Sequence, residues 1–229
     1  MCLAVVLLLM EDTYEEYQRL GIADDVFLDT MRDIGIWCAN NKNQGLHNAG
    51  WIKNHLQLNL FRLGRLQFQM YTVPSVLPYA SVLPCKGKAQ VVYIHIPQGE
   101  KLDKEQCIVS LLEANLFFAK YFPDYTYTYY FCESWLLYDK NREFMEENSN
   151  ILRFQSLFDI VYSKANDSQA IERIFGKRKL WKQQYAEQTS LQRRAKQYML
   201  SGGNLGFGVG VISKDDVSAR MFGQSNLSS

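Results

Sequence analysis

The sequence predicts an α+β fold, with helices in the first third and strands alternating with helices after it. Three observations carry that prediction. Apolar residues recur at three- and four-residue steps before residue 40. Residues 91–154 then read as strand, glycine turn, helix and strand, and residues 202–212 (GGNLGFGVGVI) as a glycine-alternating strand. A chain of 229 residues can bury one substantial core with a small satellite domain.

Taken in order, residues 1–10 (MCLAVVLLLM) are apolar but half the ~20 needed to span a membrane. They lack the basic start and small-residue cleavage site of a secretory signal and run directly into EDTYEEYQRLGI. We read a buried helix ending near Gly21, and an internal helix at Met1 implies a chain that starts partway into a larger helical domain. Val26, Phe27, Thr30, Met31, Ile34, Trp37 and Cys38 mark a second helix. If the start is a truncation, an exposed apolar patch is expected around Leu7, Leu8, Val26 and Phe27. Residues 40–50, with Gly45 and Gly50, form a polar loop, and Trp51, His55 and Leu58 a short helix ending before Gly64. Over residues 62–71, Leu66, Phe68 and Met70 alternate with Arg65, Gln67 and Gln69, as on a half-buried strand. Pro74, Pro78, Pro84 and Gly87 make residues 72–88 an irregular connection.

Residues 90–96 give the clearest strand. Asp103 with Gln106 opens a helix in capping-box fashion, and Ile108, Leu111, Leu112, Asn115, Phe118 and Ala119 line one face of it. Residues 125–135 read as a tyrosine-rich strand, 139–147 as a short helix and 150–163 as a long strand. Residues 166–200 read as helix broken at Gly176, and the last fifteen as a frayed tail.

The composition is that of a folded soluble protein, 47% hydrophobic and 21% charged. A net charge of +1 gives no global pull toward nucleic acid or an anionic membrane. Locally, residues 1–33 hold eight Asp/Glu against two arginines, and residues 172–196 eight Lys/Arg against Glu172 and Glu187. A solvated helix face is the simpler reading of the basic stretch, with RNA as the rival. Cysteines 2, 38, 85, 107 and 132 are scattered, without CxxC, which suits a reducing compartment. Cys107 and Cys132 read as small buried hydrophobes. His47, His55 and His95 lack ligand-like spacing, so no metal site is predicted.

The chemistry gathers around residues 91–138. Pro97-Gln98-Gly99-Glu100-Lys101 is either an ordinary strand-to-helix connection or an anion cradle, built from the helix N-terminus with Lys101 and Lys104. His95 is either a hydrogen-bonded core histidine or a base titrating near neutral pH. Cys132 and Ser134 carry no spacing that marks a nucleophile, and Glu133 is the better acid/base partner for His95. Glycines 206, 208 and 210 share one strand face, where a neighbouring element is expected to pack against the backbone. Tyr125, Tyr127, Tyr129 and Tyr130 read as strand-face packing.

HIPQGEKL (95–102), CESWLL (132–137) and SNILRF (149–154) resemble the GNAT-like C-terminal domain of a group of bacterial acyltransferase-domain proteins. The resemblance covers residues 64–212 and implies a GNAT-like twisted mixed sheet flanked by helices, preceded by a helical N-terminal segment. It divides the chain into a helical segment at 1–63, the remnant of an N-terminal helical domain, a GNAT-like domain at 64–214 and a flexible tail at 215–229. It implies a cytoplasmic N-acyltransferase that uses acyl-CoA, acetyl-CoA for instance, and an amine acceptor, with no metal and no membrane partner. Ile96, Gln98, Gly99, Lys101 and Lys104 would hold the coenzyme. The pantetheine would lie between the strands ending at Ile96 and Trp135. His95 and Glu133 would serve as base and partner, and Tyr138 would protonate the leaving thiolate. The loop has one glycine where the family fingerprint, Gln/Arg-x-x-Gly-x-Gly/Ala, has a second small residue. The alternative is therefore a non-catalytic GNAT-like binding or assembly module. Homo-oligomers would form through the N-terminal helices.

Overall fold

The computed structural model describes residues 3–42, 46, 48–84 and 90–221. Readings that involve Cys2, Gly45, His47, Cys85, Gly87 and residues 222–229 lie outside them. The described residues form a six-stranded mixed sheet flanked by helices. The chain forms two compact units that do not follow chain order, and each is described by itself.

The first unit holds helices α1 (Leu3–Leu20), α2 (Asp24–Asn40) and α3 (Ala49–Leu56), strands β1 (Leu60–Leu63), β2 (Leu66–Thr72) and β3 (Gln90–His95), and nearly all of helix α4 (Lys104–Tyr121). The strands are antiparallel, with Phe61 opposite Phe68 and Phe68 opposite Ile94. Phe61 is the hub of the core, with ring centroids 4.8 Å from Phe117, 5.1 Å from Phe122 and 5.9 Å from Tyr17. Each such buried ring contributes about 2–3 kcal/mol of transfer free energy.

The single strand expected over residues 62–71 is instead a hairpin. All four β1 residues are buried, so β1 shows no alternation to read, and the turn depends on Gly64 at φ +61°. A Cβ there would meet Ser110 Oγ at 2.9 Å. On α1, Val6, Thr13 and Tyr17 are buried, whereas Leu3, Val5, Leu7, Leu8 and Leu9 are exposed, so it is not the buried helix its apolar run suggested. Phe27, expected in an exposed patch, is buried against Tyr17 at 5.2 Å.

The second unit holds β4 (Tyr129–Ser134), α5 (Asn150–Gln155), β5 (Asp159–Lys164), α6 (Ser168–Phe175), α7 (Ser190–Leu200), β6 (Phe207–Ser213) and α8 (Asp216–Met221), together with residues 73–84. β6 pairs antiparallel with both β4 and β5. The long strand expected over residues 150–163 is a helix followed by a strand. The Ser149 hydroxyl accepts from Leu152 N at 3.2 Å and starts α5. A short apolar run without alternation cannot separate the two structures. The tyrosine-rich strand likewise begins at Tyr129, later than residue 125. Tyr125 and Tyr127 belong to the first unit, where both rings pack on Phe118. α6 and α7 are separated by a stretch with one short 3-10 turn, Lys182–Gln184, rather than by a break at Gly176 alone. Within the expected tail, Asp216–Met221 is helical.

The glycine face of β6 does meet neighbouring elements. A Cβ on Gly208 would fall on the Leu137 carbonyl, one on Gly206 against the Tyr138 ring, and one on Gly210 within 2.8 Å of Phe158. In the basic stretch, Arg178 pairs with Asp167, Arg194 with Glu146, and Lys196 with Glu187, as on a solvated surface. Among the described residues, no helix is long and apolar enough to cross a membrane.

Candidate functional site

β3 delivers His95 to the end of a strand whose next residues form the loop. The ring is half-buried, stacked on Tyr93 at 4.2 Å and edge-on to Trp51 at 4.7 Å. Its Nε2 lies 2.9 Å from the Gln69 amide oxygen. Facing an oxygen, Nε2 carries the proton and the lone pair sits on Nδ1. Burial pushes the pKa down to about 3, with Asp33 pulling it up and His55 pushing it further down. His95 is therefore a neutral imidazole at neutral pH, not a group titrating there.

Behind Trp51 lies a buried carboxylate that sequence reasoning missed. Asp33 Oδ2 accepts from the indole N–H of Trp51 at 2.7 Å and of Trp37 at 3.0 Å, and His55 Nε2 is 3.2 Å away. His55 Nδ1 lies 3.0 Å from the Trp51 carbonyl, and its Nε2 faces the carboxylate without an aligned hydrogen bond. Burial alone would raise the Asp33 carboxyl, but His55 and the two indoles outweigh it and hold it below the usual range. Asp33→Ala is expected to cost about 3 kcal/mol or more, because it strands buried donors without an acceptor. Urea unfolding at pH 7 measures this, and the difference should shrink as the pH falls from the ordinary aspartate value toward the lower pKa of the folded state, where the wild-type charge is lost. The available signal was an aspartate on the apolar stripe of α2, four residues before Trp37.

The loop after β3 is held from below by two buried arginines of the β1–β2 hairpin. Arg65 donates to the carbonyls of Pro97 at 3.1 Å, Glu100 at 2.8 Å and Lys101 at 3.0 Å. Arg62 pairs with Glu100 at 2.6 Å, and the Arg65 N–H donates to Ser110 on α4 at 2.7 Å. Gln98, Gly99 and Lys101 are exposed, Ile96 is half-buried, and Gly99 takes φ +114° with open space around its Cβ position. The Gln98 side chain accepts from Asn40 at 2.9 Å. The alternation that revealed β2 showed Arg65 as a polar-face residue, and nothing local showed that it turns under a loop 32 residues away.

The other predicted residues lie in the second unit. Glu133 accepts a short hydrogen bond from the Tyr79 hydroxyl, a partner that sequence reasoning did not name. Tyr138 is buried over Gly206, and burial together with Asp139 and Glu143 raises its phenol, so it stays protonated. Lys104 donates to Ser156 at 3.1 Å. Cys132 is buried here, and Cys107 is buried in the first unit; burial pushes the Cys132 thiol up, away from a nucleophilic thiolate. Among the described residues, no cluster of three or more His, Cys, Asp or Glu could hold a metal ion. A cavity of about 470 Å³ in the first unit, lined by Asp25, Asp29, Arg62, Glu113 and Leu116 among others, shares only Arg62 with the loop's supports.

A six-stranded mixed sheet flanked by helices, with a glycine loop joining a strand to a long helix, defines a GNAT-like protein. Residues 60–212 match the GNAT-like C-terminal domain and residues 1–58 the N-acyltransferase N-terminal domain, and the chain belongs to the family built from these two. Its fold is that of an acyltransferase solved with decanoyl-CoA and teicoplanin, at TM-score 0.78 and 23% identity over 91% of this chain. The same values hold for an acyltransferase solved with CoA and 10C-teicoplanin and for an acyltransferase mutant with octanoyl-CoA. The chain spans 64% of the length of these proteins. No curated protein matches it.

Proposed function

We propose that the chain is the acyl-CoA-binding part of an N-acyltransferase that moves an acyl group from a thioester to an amine. The observation that carries this reading is the loop 97–101. Its carbonyls are occupied from below, and Gly99 leaves space above, as a diphosphate would need. The solved acyltransferases of this fold hold octanoyl-CoA and decanoyl-CoA, so these are donors to test beside acetyl-CoA, with teicoplanin as one acceptor.

In the reaction, the amine attacks the thioester carbon, a C–N bond forms and the C–S bond breaks. The base of this reading is His95 through Nδ1, with Glu133 in support, although a pKa pushed down to about 3 makes the ring a weak acceptor for the ammonium proton. Tyr138 returns a proton to the thiolate. Ile96, Gln98, Gly99, Lys101 and Lys104 hold the coenzyme, with catalysis mostly by positioning. The buried thiols suit a cytoplasmic setting, and the exposed leucines of α1 suit contact with a second copy. The domain division at residues 63–64 belongs to the same reading.

Decanoyl-CoA at about 100 times its Kd should stabilise the chain by about 2.7 kcal/mol, seen as a raised melting temperature. Gly99→Val should abolish that rise, since it places a branched side chain at φ +114° in the space the diphosphate would use. A chain whose melting temperature ignores every acyl-CoA would sink the proposal. The packing of His95 between Tyr93, Trp51 and Gln69 favours a second reading, a non-catalytic module. Acyl-CoA binding without turnover on any amine would select it.

A further inference from the structure

We infer that Arg65 is the residue that orients the coenzyme-binding loop, by turning its carbonyls inward so that its N–H groups face the ligand. This rests on the reading of the loop as a diphosphate cradle. Among the described residues there is no cis peptide bond, and in a planar trans peptide each C=O points opposite to the N–H of the next residue. Arg65 captures the carbonyls of Pro97, Glu100 and Lys101, so the N–H groups of Gln98, Lys101 and Leu102 point away from it.

Three features make this a positioning device rather than simple packing. Arg65 is 5% exposed and spends Nε, Nη1 and Nη2 on one short loop. Its hydrogen-bond acceptors are carbonyls, not carboxylates, so its positive charge remains beneath the loop as an added attraction for an anion. Its own placement is fixed, because its N–H is bonded to Ser110 and Gly64 beside it admits no side chain. A lysine could supply the charge but not a planar fork reaching three carbonyls.

The test is calorimetric titration of wild type and Arg65→Lys with coenzyme A and with pantetheine, which lacks the diphosphate. Arg65→Lys should weaken coenzyme A binding about tenfold or more, the scale of losing charge-assisted hydrogen bonds, and change pantetheine binding less than about twofold. A wild type that binds coenzyme A, with a variant that binds it equally well, overturns the role of Arg65 alone. Equal losses for both ligands also overturn it, since general loosening would produce them. A wild type that does not bind coenzyme A overturns the proposed function and this role together. Should Arg65→Lys fail to fold, amide hydrogen exchange on the wild type decides. Coenzyme A should slow Gln98, Lys101 and Leu102 and pantetheine should not, and unchanged exchange at these amides overturns the inference.

Discussion

Gly208→Val should leave the chain unable to fold. Gly208 sits in β6 opposite Ser134 of β4 and Ser163 of β5, so its backbone is paired on both sides and cannot move aside. A Cβ there falls on the backbone carbonyl of Leu137, which no rotamer change can clear. Overpacking against side chains typically costs about 1–3 kcal/mol, and a clash with paired backbone exceeds that range. Gly208→Ala should already lose about 3 kcal/mol or more in urea unfolding. Gly35 supplies the control. It lies exposed in α2 with nothing within 4 Å of its Cβ position, so Gly35→Ala should stabilise the chain by about 0.5–1 kcal/mol. A Gly208→Ala variant as stable as wild type would mean that β6 does not lie against Leu137.

The second large effect belongs to His95. If it is the base of an acyl transfer, His95→Gln should lower turnover about 100-fold or more while barely changing the KM for the acyl-CoA. The pH dependence separates this from a structural role. His95 is held neutral, with its pKa pushed down to about 3, while the unfolded chain binds a proton near the ordinary value of about 6.5. Between those values the unfolded state holds more protons than the native one. Stability contributed by the neutral ring is therefore complete above about pH 6.5 and is lost as pH falls toward 3, by at most about 1.4 kcal/mol per pH unit. Comparing unfolding at pH 7 and pH 5, His95→Gln should lose less stability than wild type. Turnover should show no limb near pH 6.5 from this residue. Activity retained in His95→Gln would remove it from the chemistry.

The elements legible from the sequence were those with an uninterrupted pattern and room to show it. Strand β2, the strand at residues 90–95, and helices α2 and α4 emerged where they were expected, but β2 is not half-buried, since Gln67 on its polar face and Arg65 just before it are buried as well. β1 and α5 did not, for one reason. A run of only four to six residues is too short to show a period, so neither structure can be preferred until neighbours are known. Turn chemistry at Gly64 and the Ser149 cap were the local signals that would have corrected both.

The amino-acid sequence by itself determined the α+β class, the resemblance to a GNAT-like domain, the loop at 97–101, and the close approach on glycines 206, 208 and 210. Those depend on local periodicity, on glycine's missing Cβ, and on short motifs. Only the tertiary structure decided that His95 is a neutral ring wedged between Tyr93 and Trp51, that Asp33 binds two indoles, and that Glu133 is bonded to Tyr79. The tertiary structure also decided that Arg65 lies under a loop 32 residues away. A pKa and a hydrogen-bond partner depend on what folding brings close and how much water it removes, and neither is encoded by neighbours along the chain.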